Sequence, residues 1–167
     1  MAGSSALPVR IGLLYDYPQG DDSFVKALRL GLDEVAASGR LDRDIEFVEK
    51  AVRGLPSGSE AAVARGFEEL VADDVVAIIG PSISDNALIV APLCDAARVP
   101  AINYTGGERT RSHFGFHYQI GSLEEEPPIL AQRLAARGLT RAAVVFEHSP
   151  VGRRYAEVFD RAHTGAG

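Results

Sequence analysis

Short, dense apolar blocks alternate with longer amphipathic ones through most of the chain. The first block, "VRIGLLYDY" (9–17), is β-branched and leucine-rich and is stopped by "PQGDD", which predicts a buried strand. Phe24, Leu28, Leu32 and Val35 then recur at helical spacing, with Asp22 or Ser23 as cap and Ser38-Gly39 as the stop. "IEFVEKAV" (45–52) reads as a second strand, and Ser57 with Glu60 has capping-box spacing for a helix carrying Val63, Phe67 and Leu70. "VVAIIG" (75–80) is apolar throughout, the pattern of a strand covered on both faces.

A third helix is predicted from Ser84 to Ala97, with a kink at Pro92, which has no N–H to donate. "VPAIN" (99–103) is a fourth strand and "FHYQI" (116–120) a fifth extended segment. "LAQRLAARG" (130–138) reads as a helix, "RAAVVFEH" (141–148) as a last strand and "VGRRYAEVFDRA" (151–162) as a last helix. The order β-α-β-α-β-α-β predicts an α/β fold: an open, mostly parallel sheet with helices on both faces. Ligands of such sheets lie outside the carboxyl ends of the strands. Those ends fall here at 15–22, 51–57, 80–84 and 103–111, and three of the four are rich in Gly, Ser, Thr or Tyr.

With 167 residues, 46% of them hydrophobic, the chain can bury one sizeable core. A net charge of −6 argues against nucleic acid or an anionic membrane surface as partner. The apolar runs are too short to insert into a membrane. The start "MAGSSALPVR" shows neither a basic n-region nor an apolar h-region, which leaves the compartment open. Cys94 is the single cysteine, so no internal disulfide forms, and its apolar helical surroundings read as those of a packing thiol.

Several chemistries lack their residues. The dinucleotide fingerprint G-x-G-x-x-G and the Gly-rich lysine loop for nucleotide phosphates are both missing. Asp16 suits a phosphoacceptor domain, but the third strand ends in Gly80-Pro81 where an aspartate is wanted. His113 and His117 flank Gly115 in an extended, aromatic stretch, so their spacing of four does not put them on one helix face. "GPSIS" lacks the second glycine of a nucleophile elbow for Ser84, and "EEEPP" (124–128) reads as an acidic helix start. What remains is polar but not titratable: Ser82, Ser84, Asn103, Thr105, Gly106 and Gly107. Hydroxyls and free N–H groups at helix N-termini bind a carboxylate or phosphate without reacting with it. A plainer alternative is that Ser84 caps its own helix.

The blocks "VRIGLLY", "LRLGLDEVAASGR" and "VVAIIGPSISDNALIVAPLCDAARVPAINYT" together resemble the type I periplasmic binding proteins, in particular the leucine/isoleucine/valine-type substrate-binding proteins of ABC transporters. "LAARGLTRAAVVFEHSPVGRRYAEVF" is similar to the segment that opens that family's second lobe. The resemblance implies two α/β lobes that close on an amino acid or similar small molecule, with an ABC permease as a possible partner. By position Ser84 matches the serine that holds the ligand's α-substituents, and Gly106-Gly107 match the carboxylate-holding loop. The 15–20 loop, including Tyr17, matches the cover over the ligand's side chain.

Three positions depart from the pattern. A small-Thr pair reads Gly106-Gly107, so that Thr105 must supply the hydroxyl. A Tyr-Gly pair reads Val151-Gly152, and the acidic end of strand two reads "AVRG", which places Arg53 at the sheet's edge.

The resemblance implies a disordered start (1–8), an N-terminal ligand-binding lobe (9–121) and the incomplete start of a second lobe (122–167). No cofactor, metal or catalytic residue is implied: the expected function is solute binding, not enzymatic. The alternatives are a cytosolic small-molecule sensor on the same fold and an α/β enzyme using Ser84.

Overall fold

The computed structural model describes residues 7–16, 23–118 and 121–165. Strands β1 (Val9–Tyr15), β2 (Ile45–Ala51), β3 (Ala77–Ile79), β4 (Ala101–Asn103) and β5 (Gly115–His117) form one sheet in the order β2-β1-β3-β4-β5. Every pairing is parallel. The helices are α1 (Ser23–Ala37), α2 (Glu60–Ala72), α3 (Ser84–Ala97), α4 (Glu126–Ala135) and α5 (Pro150–Thr164), and a 3-10 turn spans Glu108–Thr110. The α/β class expected from the sequence is the one observed. Strand order reverses between β1 and β3, where the chain leaves the two strands in opposite directions and opens a crevice.

Register decides which side chains meet which helix. Gly12 lies opposite Val48 and Ile78, and Ile78 opposite Ala101, so these residues share a face. On that face Leu14, Ile78 and Ala101 form a buried core with Val63, Phe67 and Leu70 of α2 and Val90 and Cys94 of α3. Full burial of each large apolar side chain is worth about 1.5–3 kcal/mol. Gly66 lets α2 approach, since a β-carbon there would sit 2.3 Å from Val52 Cγ1.

The opposite face is thinly covered. Arg29 of α1 donates to Glu49 Oε1 at 2.7 Å and lies 5.9 Å over the Phe47 ring, but α1 buries none of its residues. Its predicted stripe of Phe24, Leu28, Leu32 and Val35 is only half-buried. Ile102 and Phe116, paired in register on this face, are 45% and 53% exposed.

Some boundaries move. The cap of α2 is Ser59, whose hydroxyl accepts from the Ala62 N–H at 3.2 Å, not the expected Ser57. Helix α4 begins earlier than predicted, at Glu126, because Pro127 suits a first turn where its missing N–H is not needed. The N-terminal segment 1–8, expected to be disordered, lies outside the described residues except for its last two.

The main correction concerns 141–148, expected as a strand and assigned to none. A strand exists only as part of a ladder, and none of the five strands pairs with this segment. Among the described residues, no backbone N–H or C=O of 140–146 makes a backbone hydrogen bond, and 135–148 are exposed throughout. Helices α4 and α5 pack together nearby, burying Ala131 and Phe159. Unpaired exposed backbone is the preferred substrate of proteases. Limited proteolysis of dilute protein is therefore expected to cut first within 139–148 while β1 and β3 stay intact. First cuts inside the sheet would contradict this ordering of local stability.

Candidate ligand site at the strand ends

The site is organised by Asp16, the residue after β1. Its carboxylate accepts from the backbone N–H of Ser82 at 2.9 Å and of Ile83 at 3.0 Å, and from Asn86 Nδ2 at 2.9 Å. Asn86 also accepts from the Leu55 N–H at 2.8 Å and donates to the Leu55 carbonyl at 3.2 Å. Asp16 and Asn86 are 6% and 0% exposed. Three strand ends, those of β1, β2 and β3, are thus tied together by two buried side chains. The backbone allows it because Gly80 holds φ at +105° and a β-carbon there would sit 2.3 Å from the Leu14 carbonyl.

This lattice presents the start of α3. The N-cap position is Ile83, which makes no side-chain cap, and Ser84 is the first helical residue. The plainer reading of Ser84 as its own helix cap is therefore set aside. Among the described residues the hydroxyls of Ser82 and Ser84 make no hydrogen bond, and the N–H groups of Ser84 and Asp85 have no acceptor. Both serines are half-buried. The first turn of a helix offers N–H groups and the positive end of its dipole to an acceptor.

The loop after β4 forms the facing wall. Asn103 and Thr105 are 4% and 2% exposed. Thr105 Oγ1 donates to Asn103 Oδ1 at 2.8 Å and lies 2.7 Å from Thr110 Oγ1. Asn103 Nδ2 donates to the Thr110 carbonyl at 3.2 Å, and Thr110 Oγ1 to the Gly107 carbonyl at 2.6 Å. This network brings Gly107 against α3: a β-carbon on Gly107 would lie 4.0 Å from Ser84 Cβ. Gly106 is fixed by its carbonyl, which accepts from the Leu123 N–H at 2.9 Å.

The structure therefore brings Ser84 and Gly107 together, with Ser82 beside them on the same loop. The polar atoms of Asn103 and Thr105 are instead engaged within their own buried network. Tyr17 lies outside the described residues. Asp16, Asn86 and Thr110 were not singled out as binding residues. A buried Asn in a first helical turn is their clearest signal, because Asn competes with helical backbone unless its amide has fixed partners.

Helix α5 reaches the same end of the sheet. Ser149 caps it by accepting from the Gly152 N–H at 3.0 Å, and the Val151 N–H donates to Asp85 Oδ1 at 2.8 Å. Gly152 is required here, since its β-carbon would fall 2.2 Å from the Glu147 carbonyl. Arg53, expected at the sheet's edge, is exposed beside the buried Gly54.

Cys94 is buried in the core, where desolvation, helped by the Asp95 carboxylate, pushes its thiol up to about 12. At neutral pH it is a thiol and not a nucleophile. Among the described residues no group of three or more His, Cys, Asp or Glu could hold a metal ion.

The sequence profile of the periplasmic binding proteins matches residues 8–167, and the chain belongs to that family. Solved structures share the fold. A solute-binding protein of an ABC transporter from Rhodopseudomonas palustris BisB5, in complex with 3,4-dihydroxybenzoic acid, has a TM-score of 0.71 at 24% identity, over 96% of this chain and 45% of that one. A substrate-binding protein from Desulfitobacterium hafniense, in complex with Leu, has a TM-score of 0.71 at 22% identity, over 96% and 48%. The leucine-binding protein LivK of Thermotoga maritima MSB8 has a TM-score of 0.69 at 17% identity, over 95% and 46%. The chain thus spans about half the length of these proteins. No curated protein matches it.

Asp16→Ala would leave one buried and two part-buried donors without this acceptor, each worth about 1–3 kcal/mol. A loss of about 3–5 kcal/mol in urea unfolding is expected on that basis, and a loss below about 1 kcal/mol would remove Asp16 from its organising role. Cys94 should resist alkylation at pH 8 in the native state and react quickly in urea. Equal rates in both would place the thiol at the surface.

Proposed function

We propose that this chain supplies the ligand-binding lobe of a solute-binding protein, holding the carboxylate of a small molecule at the start of α3. The observation that carries the reading is Ser84. Its hydroxyl and N–H are uncommitted among the described residues, at the crevice where strand order reverses and in contact range of Gly107. A carboxylate placed there would accept from the Ser84 hydroxyl and from N–H groups of the first turn. The Ser82 hydroxyl and the Gly107 backbone complete the contact set. Asn103 and Thr105 act one step back, by holding the loop that carries the glycines.

The ligands in structures of the same fold support this class of solute. They are 3,4-dihydroxybenzoic acid, leucine, 4-hydroxybenzoate and benzoate. Aliphatic or aromatic, each carries one carboxylate, so the shared element of recognition is the acid group. In this reading residues 9–121 form the lobe and residues from 122 begin a second one, with the solute held between them and handed to an ABC permease. In this reading Ser84 is a binding residue and not an acyl-transfer nucleophile.

Half of the contacts of a two-lobed site lie on each lobe. A micromolar complex is about −8 kcal/mol, so half of it leaves affinity on the order of millimolar. Benzoate and leucine titrated into this chain should move the amide resonances of Ser82, Ser84, Asp85 and Gly107 at millimolar concentrations. Benzamide and leucinamide should not. Ser84→Ala, which removes a charge-assisted bond worth about 1.5–3 kcal/mol, should weaken the response by tenfold or more. Equal responses to acid and amide, or resonances that move elsewhere, would refute the carboxylate site.

A further inference from the structure

The hydroxyls that hold the Gly107 loop are short of hydrogens. Thr105 Oγ1 lies 2.8 Å from Asn103 Oδ1 and 2.7 Å from Thr110 Oγ1, which in turn lies 2.6 Å from the Gly107 carbonyl oxygen. Each of these oxygen–oxygen contacts needs a hydrogen between its atoms, and a threonine hydroxyl carries only one. With Thr105 donating to Asn103 and Thr110 donating to Gly107, the two Oγ1 atoms face each other with lone pairs alone. Both threonines are buried, and one imidazole stands beside them. His117 ends β5, pairs in register with Asn103, and places its Nδ1 3.5 Å from Thr110 Oγ1. That is the outer limit of hydrogen-bond range, and closing it by about 0.5 Å gives an ordinary N–H···O bond.

We infer that His117 carries its ring hydrogen on Nδ1, donates it to Thr110 Oγ1, and is thereby a positioning residue for Gly107. The effect on binding rests on the carboxylate-site reading; the hydrogen bond itself does not. The oxygens select this tautomer. A bare Nδ1 would be one more acceptor competing for the same two hydroxyl hydrogens, and it could draw the Thr110 hydrogen away from Gly107. An N–H at Nδ1 instead gives the oxygen-rich cluster a positive hydrogen and leaves Thr110 free to donate onward. The Gly107 carbonyl then keeps both of its donors, the Thr110 hydroxyl and the Thr110 N–H at 3.1 Å. Its peptide is held against α3, where a β-carbon on Gly107 would lie 4.0 Å from Ser84 Cβ. The backbone of β5 supports the ring's placement, since the Tyr118 N–H donates to the Asn103 carbonyl at 2.8 Å. His117 thus acts on the site through Thr110, and touches no ligand itself.

The test is imidazole nitrogen NMR of the unmutated 167-residue chain, read at the neutral end of the ring's titration. A His117 ring protonated on Nδ1 is expected, and one protonated on Nε2 overturns the inference. Two variants then separate donation from shape. His117→Asn keeps an N–H close to the place of Nδ1, and His117→Leu keeps bulk without a donor. The Leu variant should shift the Gly107 and Thr110 amide resonances and speed their exchange, while the Asn variant should stay near the parent chain. Equal disturbance in both, or none in either, also overturns it. In titrations with benzoate, His117→Leu should weaken the response of Gly107 by about threefold to tenfold, and His117→Asn should restore most of it. If the unmutated chain does not respond to benzoate, the carboxylate site fails, and the tautomer with the two amides still decides on His117.

Discussion

The carboxylate of Asp16 is the constraint from which the rest of the site follows. A buried carboxylate with no ion-pair partner among the described residues must find hydrogen-bond donors, because an unsatisfied one is far too costly to keep charged. Asp16 finds two backbone N–H groups and an amide. Each fixes a different piece of chain. The Ser82 and Ile83 bonds hold the turn out of β3, and the Asn86 bond anchors the first turn of α3. Through Leu55, Asn86 also anchors the loop leaving β2. Ser84 stands between these fixed points, so its position is set on both sides by bonds that it does not itself make.

That arrangement also limits what the site can hold. Asp16 already answers the two N–H groups just ahead of α3, and its charge lowers the pull of the helix terminus on another anion. Asp85, the acidic residue in the first turn, is engaged with the Val151 N–H of α5. Its negative charge therefore complements the N-terminus of α5. What α3 would keep for the proposed ligand is a neutral hydroxyl and a few N–H groups, a set suited to reversible binding of one carboxylate. On the facing wall the Asn103–Thr105–Thr110 network does for Gly107 what Asp16 does for Ser84.

How much of this was legible in the sequence depended on how local its cause was. The α/β order, the strand that ends at Gly80 and the helix from Ser84 to Ala97 are written in periodicity and breakers, which act over a few residues. Ser82, Ser84 and Gly107 were singled out because they lie at strand ends, where topology puts ligands, and the proposed site is built on them. Asp16 and Asn86 were hidden because their partners are 31 to 70 residues away. Asn103 and Thr105 misled in the opposite direction. Their polarity suggested ligand-binding groups, whereas folding turned their polar atoms inward to each other and to Thr110. The choice of Ser59 over Ser57 as a cap is a matter of loop path, which spacing alone does not determine.

The segment 141–148 shows where pattern reading stops. Alternation and β-branching report that side chains fit a pleated, half-buried surface, and they carry no information about which strand lies alongside. In β1 the two requirements coincide, because β2 and β3 are present on either side. In 141–148 only Ala142 and Val144 face α5, across a groove and still exposed, while the backbone requirement is met by nothing among the described residues. The same contrast appears on the α1 face, where Ile102 and Phe116 are paired through their backbones yet half-exposed. Backbone pairing without side-chain cover gives a strand with a bare face, and an apolar alternation without backbone pairing gives no strand at all. Hydrogen bonding thus decides whether a β-pattern becomes a strand, and burial decides only how well that strand is held.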